Sequence, residues 1–204
     1  MEWSSIWPKI DSVYGWLSED EAKLLAELAK ETRRGENVIE LGAFMGRSTA
    51  ALAFGLLEQI HCDNLVISID TWVGTKGGAE EEGLHANLIR EHGADDLFKL
   101  HAENMRRLML HPWSKRIRGT TAGTGPEWAT EWNIGVGLVF IDADHRYEAV
   151  KADFEAWSPF LPPGGKIAFH DSWAPGPSRV ISELPSSFKA CADAGSLAAF
   201  ERTL

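Results

Sequence analysis

The chain has 204 residues, 44% hydrophobic and 25% charged, the balance of one ordinary globular domain able to bury a full core. Its 20 basic and 30 acidic residues give a formal charge of −10, which argues against a nucleic-acid or anionic-membrane surface and suits a cationic ligand. Two cysteines, Cys62 and Cys191, form neither a disulfide framework nor a Cys-x-x-Cys pair, so a reducing, cytoplasmic setting is expected; Met1-Glu2-Trp3 opens no signal peptide, and the longest apolar runs are too short to span a bilayer.

Residues 1–35 read as helical, an N-terminal extension to the rest. Ser18 and Glu21 have capping-box spacing, Ala22, Leu24, Leu25, Leu28 and Ala29 supply an apolar face, and Gly35 ends the helix. A first strand over 37–41 leads through Gly42 and Gly46 into a helix over 47–59. A second strand, 65–70, closes on Asp70. The glycine- and glutamate-rich stretch 72–93 follows, with 74–78 placed to hinge a lid, and then a helix over 95–110 and a short strand over 116–118. Thr124 and Glu127 repeat the capping-box spacing, with Pro126 inside the first turn. The run 135–141 is apolar almost throughout, as a strand buried on both faces of a parallel sheet would be. A helix over 147–158, the turn 162–165, a strand over 166–170, a short helix over 178–184, and two strand-like runs, 187–191 and 197–201, complete the chain. Alternating strands and helices predict a doubly wound α/β, Rossmann-like sheet, mostly parallel and seven-stranded, with an antiparallel C-terminal hairpin.

Three strands end in an acid, Glu40, Asp70 and Asp142, and the fifth ends in His170-Asp171. An open α/β sheet gathers the carboxyl ends of its strands at one rim, where ligands bind. The turn reads Glu40-x-Gly42-x-x-x-Gly46. It lacks both the Gly-x-Gly-x-x-Gly of dinucleotide enzymes and the Lys-Ser/Thr of a P-loop.

The stretches VIELGAFMGRSTAALA (38–53), VISIDTW (66–72), IRGTT (117–121) and FIDADHRYEAVKADFEAWSPFLPPGGKIAFHDSW (140–173) carry a family resemblance. The chain resembles the class I S-adenosylmethionine-dependent methyltransferases, and among them the small-molecule O-methyltransferases of the catechol, caffeoyl-coenzyme-A and sugar types. The resemblance runs from residue 36 to the C-terminus, making 36–204 the cofactor-binding domain. It implies that the turn, with Glu40, Gly42, Ala43, Phe44, Gly46 and Ser48, approaches the methionine part of the cofactor. It further implies that Asp70 accepts the ribose hydroxyls, that Thr71 also touches the cofactor, that Trp72 flanks the adenine, that Thr121 contacts the adenine edge, and that Asp142 lies near the sulfonium. Asp142, His170 and Asp171 would be the ligands of a divalent metal. His145 stands where the catechol-type relatives have a catalytic lysine, and would be the base, aided by His170 and Asp171.

One departure bears on the metal. The relatives carry Asp-Asp, Asp-Asn or Glu-Asp where this chain has His170-Asp171. Magnesium prefers an all-oxygen shell, whereas a histidine favours manganese, iron, zinc or nickel. Either the metal has changed, or it has been lost and His170 works with His145 as acid and base. The expected activity is O-methylation of a small hydroxylated acceptor, sugar or phenolic. An NAD-dependent oxidoreductase and a non-catalytic protein retaining the fold are the competing readings. The oligomeric state stays open, a homodimer included. His61-Cys62-Asp63 reads as loop filler, His85, His92, His101 and His111 as solvated, Trp157 as core, and Trp173 as an aromatic wall for the acceptor.

Overall fold

A computed structural model describes residues 2–59, 63–73, 87–88, 90–91, 96–131 and 133–204, apart from the side chains of 124, 125 and 128. The lid hinge at 74–78, the pair 61–62, the glutamates 80–82 and the histidines at 85 and 92 lie outside the described residues, as does the Thr124 side-chain cap.

Two helices open the chain, α1 (Trp3–Asp11) and α2 (Glu19–Lys30). The capping box at α2 is formed on both sides: the Glu21 amide donates to Ser18 Oγ, and the Ser18 amide donates to Glu21 Oε2 at 2.8 Å. Then come β1 (Glu36–Leu41), α3 (Arg47–Leu57), β2 (Val66–Asp70), α4 (Leu97–Arg107), β3 (Ser114–Arg118), α5 (Thr124–Glu131), β4 (Gly135–Ile141), α6 (Tyr147–Trp157), β5 (Lys166–Phe169), α7 (Pro175–Ser182), β6 (Phe188–Ala194) and β7 (Leu197–Arg202). The strands form one seven-stranded sheet in the order β3-β2-β1-β4-β5-β7-β6. The first five strands pair in parallel, and β7 runs antiparallel to both β5 and β6. This is a Rossmann-like sheet, mostly parallel, with an antiparallel C-terminal hairpin.

Boundaries shift where local chemistry overrides hydrophobic pattern. The α7 helix starts at Pro175 and not at residue 178, because a proline at the first helical position lacks only a donor that would be unsatisfied anyway. The hairpin turns at Gly195-Ser196, since β6 continues to Ala194 with polar residues on its exposed face. His170 lies just past β5.

Alternation along the buried strands feeds two cores. Val38, Leu138, Phe140 and Ala168 face α1, α2 and α3, including Ile10, Leu25 and Leu52. Ile39, Leu41, Val139, Ile141, Ile167 and Phe169 face α5, α6 and α7, including Val150, Val180 and Trp157, which is fully buried as expected of a core residue. Among the described residues no helix is long and apolar enough to cross a membrane.

Register positions the site. Leu41 pairs with Ile69 and Ile141, and Ile141 pairs with Phe169. The next row therefore holds Gly42, Asp70, Asp142 and His170, and the ladder continues into it: Gly42 N donates to Ile69 O, Asp142 N to Leu41 O and His170 N to Ile141 O. The strand order reverses between β1 and β4, so this row straddles the switch point where α/β sheets open a crevice.

Candidate active site

Gly42 and Gly46, with φ of +86° and +94°, bracket the turn after β1. A Cβ at Gly42 would collide with the Asp142 carbonyl, so the glycine lets β1 and β4 close up at their carboxyl ends. Gly46 precedes α3, and no side-chain cap bonds the first amides of that helix. Asp70 secures the turn: its Oδ2 accepts from the Ala43 and Phe44 amides at 2.9 Å each, and its Oδ1 accepts from the Trp72 amide at 2.7 Å. A carboxylate has about four acceptor positions, and donors among the described residues fill three of them, leaving one for a ligand hydroxyl. Trp72 is 3% exposed; its indole donates to Phe44 O at 2.8 Å, and its ring packs edge-on to Phe98 and His101. That leaves no open face against which an adenine could stack. Thr71 Oγ1 accepts from the Val73 amide at 3.5 Å.

Beneath the turn lies a closed polar cluster. Glu40 is 0% exposed, and Ser48, Thr49 and Ser68 each donate a hydroxyl to it at 2.5 Å. Glu40 and Ser48 thus tie the foot of the turn to the start of α3, with neither carboxylate oxygen exposed to a ligand. Burial, the largest influence, outweighs the three hydroxyls and, with Asp142 nearby, raises the Glu40 pKa to about 7. Thr49 Oγ1 also lies 2.9 Å from His101 Nε2. His101 is not solvated as its lone position in the sequence implied; it is wholly buried, and burial together with the Arg116 charge lowers its pKa to about 3. His111, by contrast, lies on the surface.

The rim carries the second cluster. Asp142, His170 and Asp171 each bring a ligand atom within 4.8 Å of the others, the geometry of a candidate metal centre. His170 Nδ1 lies 3.3 Å from Asp142 Oδ1 and 3.4 Å from Asp171 Oδ2, is buried, and among the described residues makes no hydrogen bond of good geometry. His145 Nε2 lies 2.8 Å from Asp171 Oδ2 and 3.9 Å from Asp142 Oδ1, with its side chain half exposed. Asp171 holds a φ of +47°, a conformation non-glycine residues visit mainly at constrained sites. Burial disfavours the His170 cation, but Asp142, Asp171 and Glu21 outweigh it and raise its pKa to about 9.

The structure thus brings His145, Asp142, His170 and Asp171 together and sets Gly42, Ala43, Phe44, Gly46 and Asp70 along the same edge. Thr121 stands apart: its hydroxyl donates to Asp153 Oδ1 at 2.5 Å and its carbonyl accepts from Trp157. Burial raises the Asp153 pKa to about 6. Trp173 is 73% exposed. Sequence reading missed Glu21 and Ser196, which lie behind His170; Ser18-x-x-Glu21 signalled only a helix cap.

The site and fold define a class, and the chain belongs to it: the methyltransferase-domain family matches residues 39–172. An uncharacterized protein, R132, of Acanthamoeba polyphaga mimivirus is 25% identical over 156 residues, covering 74% of this chain and 60% of that one. Another, y4gI of Sinorhizobium fredii, is 27% identical over 142 residues, covering 68% of this chain but only 13% of its own length. The chain therefore spans less than two thirds of the length of either relative. The fold is shared with the O-methyltransferase NovP (TM-score 0.67, 14% identity, 92% of this chain and 81% of that one). It is also shared with an O-methyltransferase from Bacillus cereus in complex with SAH (0.62, 17%, 98% and 90%) and with CalS11, a TDP-rhamnose 3′-O-methyltransferase of calicheamicin biosynthesis (0.58, 19%, 88% and 76%).

Proposed function

We propose that this protein is an S-adenosylmethionine-dependent O-methyltransferase acting on a hydroxyl of a small acceptor, a sugar or a phenol. The observation that carries the reading is the single row of Gly42, Asp70, Asp142 and His170 at the carboxyl edge of the sheet, in a chain of the methyltransferase-domain family. The sugar acceptor of CalS11 supports the first acceptor class.

The residues present fit the cofactor. The uncapped start of α3 suits the carboxylate of its methionine part, and the one free position on Asp70 suits a ribose hydroxyl. The bound cofactor would supply a methyl group already activated by a sulfonium. Residues 36–204 would hold it, with 1–35 packed over α3. Glu40 and Ser48 would act from beneath, fixing the turn, and Trp72 would back it.

His145 Nε2 is the base we assign, exposed enough to meet an acceptor hydroxyl and 2.8 Å from the carboxylate that would stabilise its cation. Asp142 and Asp171 place negative charge where a cationic donor must dock. The buried His170 Nδ1, facing two carboxylates, also fits a divalent metal, held by Asp142, His170 and Asp171. Such an ion would hold acceptor oxygens and lower a hydroxyl pKa.

Titration with S-adenosylhomocysteine, followed by a screen of sugars and phenols scored by S-adenosylhomocysteine release from S-adenosylmethionine, tests the reading. Micromolar binding and turnover with one acceptor class are expected. No binding, or binding of NAD in its place, ends it.

A further inference from the structure

Behind His170 stands a carboxylate from the other end of the chain. Glu21, in the first turn of α2, is 6% exposed. Its Oε1 accepts from the Ser196 amide at 2.7 Å and from Ser196 Oγ at 2.8 Å, in the turn between β6 and β7. Its Oε2 accepts from the Ser18 amide and hydroxyl at 2.8 and 2.7 Å. Four donors hold one carboxylate, two of them from Ser18 in its own capping box and two from Ser196, 175 residues away from Glu21. His170 Nε2 lies 3.4 Å from Ser196 Oγ and 3.7 Å from Glu21 Oε2.

Counting protons orients the ring. Ser196 has one hydroxyl proton, and the Glu21 carboxylate takes it. The Ser196 oxygen can then only accept from His170, so Nε2 must carry a hydrogen. With Nε2 carrying a hydrogen, Nδ1 is the nitrogen that gives up its proton to offer a lone pair to an ion, and it is the buried atom 3.3 Å from Asp142 Oδ1 and 3.4 Å from Asp171 Oδ2. The same arrangement, a ring N–H anchored outward and the other nitrogen presented inward, fixes metal-ligating histidines generally. Gly195 permits it: with φ +56°, a Cβ there would sit 2.6 Å from Glu21 Oε1.

We infer that Glu21, acting through Ser196, is a positioning residue that holds His170 Nδ1 toward Asp142 and Asp171, so that this rim forms a nitrogen-and-oxygen site selecting a transition-metal ion over magnesium. A carboxylate oxygen just past β5 would suit magnesium; an oriented imidazole suits zinc, cobalt or manganese. The inference builds on the metal-assisted reading above, but it concerns the ion alone and is measured without turnover. It also gives the N-terminal helices a part in the site: α2 contributes the anchor for a residue about 150 positions downstream in sequence.

The test uses the full chain, stripped with chelator and titrated with cobalt(II) at one fixed pH, the visible absorption of the bound ion giving its affinity. Wild type should bind cobalt(II) and keep it against excess magnesium. Ser196→Ala and Glu21→Gln should each weaken cobalt(II) by about 10- to 100-fold, the usual effect of removing an outer partner of a ligating histidine. His170→Asp should move the preference toward magnesium. Glutamine at the third helical position can still complete a capping box, and Ser196→Ala leaves that box untouched, so the pair separates folding from ring orientation. A wild-type chain that binds no cobalt(II) or yields it to equimolar magnesium, or a Ser196→Ala protein with wild-type affinity, overturns the inference. S-adenosylhomocysteine binding, measured on the same samples, reads the methyltransferase assignment separately: its loss in wild type would end that assignment and leave the metal result standing.

Discussion

Two histidines in this molecule sit beside carboxylates at the same end of the sheet, and their surroundings drive them in opposite directions. His101 meets the buried Glu40 only through the Thr49 hydroxyl, and its pKa falls to about 3. His170 faces Asp142, Asp171 and Glu21 within 3.7 Å, and its pKa rises to about 9. Burial disfavours the cation in both; what differs is that carboxylates face the His170 ring directly, whereas His101 meets only a neutral hydroxyl and the Arg116 charge adds to the penalty. The inner cluster, closed to solvent, holds structure. The outer one, charged and open through His145, can handle a proton or a cation. Depth below the strand ends thus separates scaffold from chemistry within a few residues of one strand: Glu40 and Gly42 differ by two positions.

The largest expected effect falls on the outer cluster. His145→Ala should lower kcat by about 10²- to 10⁴-fold, the usual worth of a positioned base, with S-adenosylhomocysteine affinity unchanged. Asp171→Ala should give a comparable loss, because it removes the partner 2.8 Å from the base. The counterpart change inside, His101→Gln, should leave kcat within a few-fold. Full turnover in His145→Ala would erase the distinction between the clusters. Steady-state kinetics on the three variants decides it.

Next in size is an alkaline stability change. Raising the His170 pKa from its ordinary 6.5 to about 9 means that the folded chain holds a proton the unfolded chain releases. The resulting stabilisation is fully present below about pH 6.5 and is lost as pH rises through 9, amounting to about 3 kcal/mol. In chelator-treated protein, denaturant unfolding at pH 6 and pH 9.5 should show that loss in wild type and not in His170→Asn. Equal pH dependence in the two would mean that the three carboxylates do not act on the ring as the geometry requires.

How much of this was legible beforehand follows from the range of the interactions involved. Strand–turn–helix order and the gathering of Gly42, Asp70, Asp142 and His170 at one edge could be read from sequence, because register follows from alternation and topology. The depth of Glu40 could not: an acid at the end of an apolar strand looks the same whether it meets a ligand or three hydroxyls from α3 and β2. Trp72 and Thr121 follow β2 and β3, and their polar atoms turn inward, to Phe44 and Asp153. Glu21 escaped notice because its local explanation as a helix cap was complete. Its second contact, to a turn near the other terminus, leaves no trace in local spacing.

The smallest prediction probes the inner cluster alone and turns on two opposed titrations. Glu40 has a pKa raised to about 7, so its contribution to stability is fully present below about pH 4.5 and fades as pH rises through 7. His101 has a pKa lowered to about 3, so its contribution is fully present above about pH 6.5 and fades as pH falls toward 3. Between pH 7 and pH 5 the first group therefore stabilises the fold while the second destabilises it, each by about 2 kcal/mol. Glu40→Gln removes the first and should make the chain lose about 2 kcal/mol more than wild type over that interval. His101→Gln removes the second and should make it gain about as much relative to wild type. Both substitutions keep a donor or acceptor for Thr49, so each also carries a pH-independent offset, which the difference between the two pH values cancels. Opposite signs in the two variants are the signature of two buried groups joined by one hydroxyl. Slopes of the same sign would show that water reaches Glu40, and with it that the floor of the turn is open to a ligand after all.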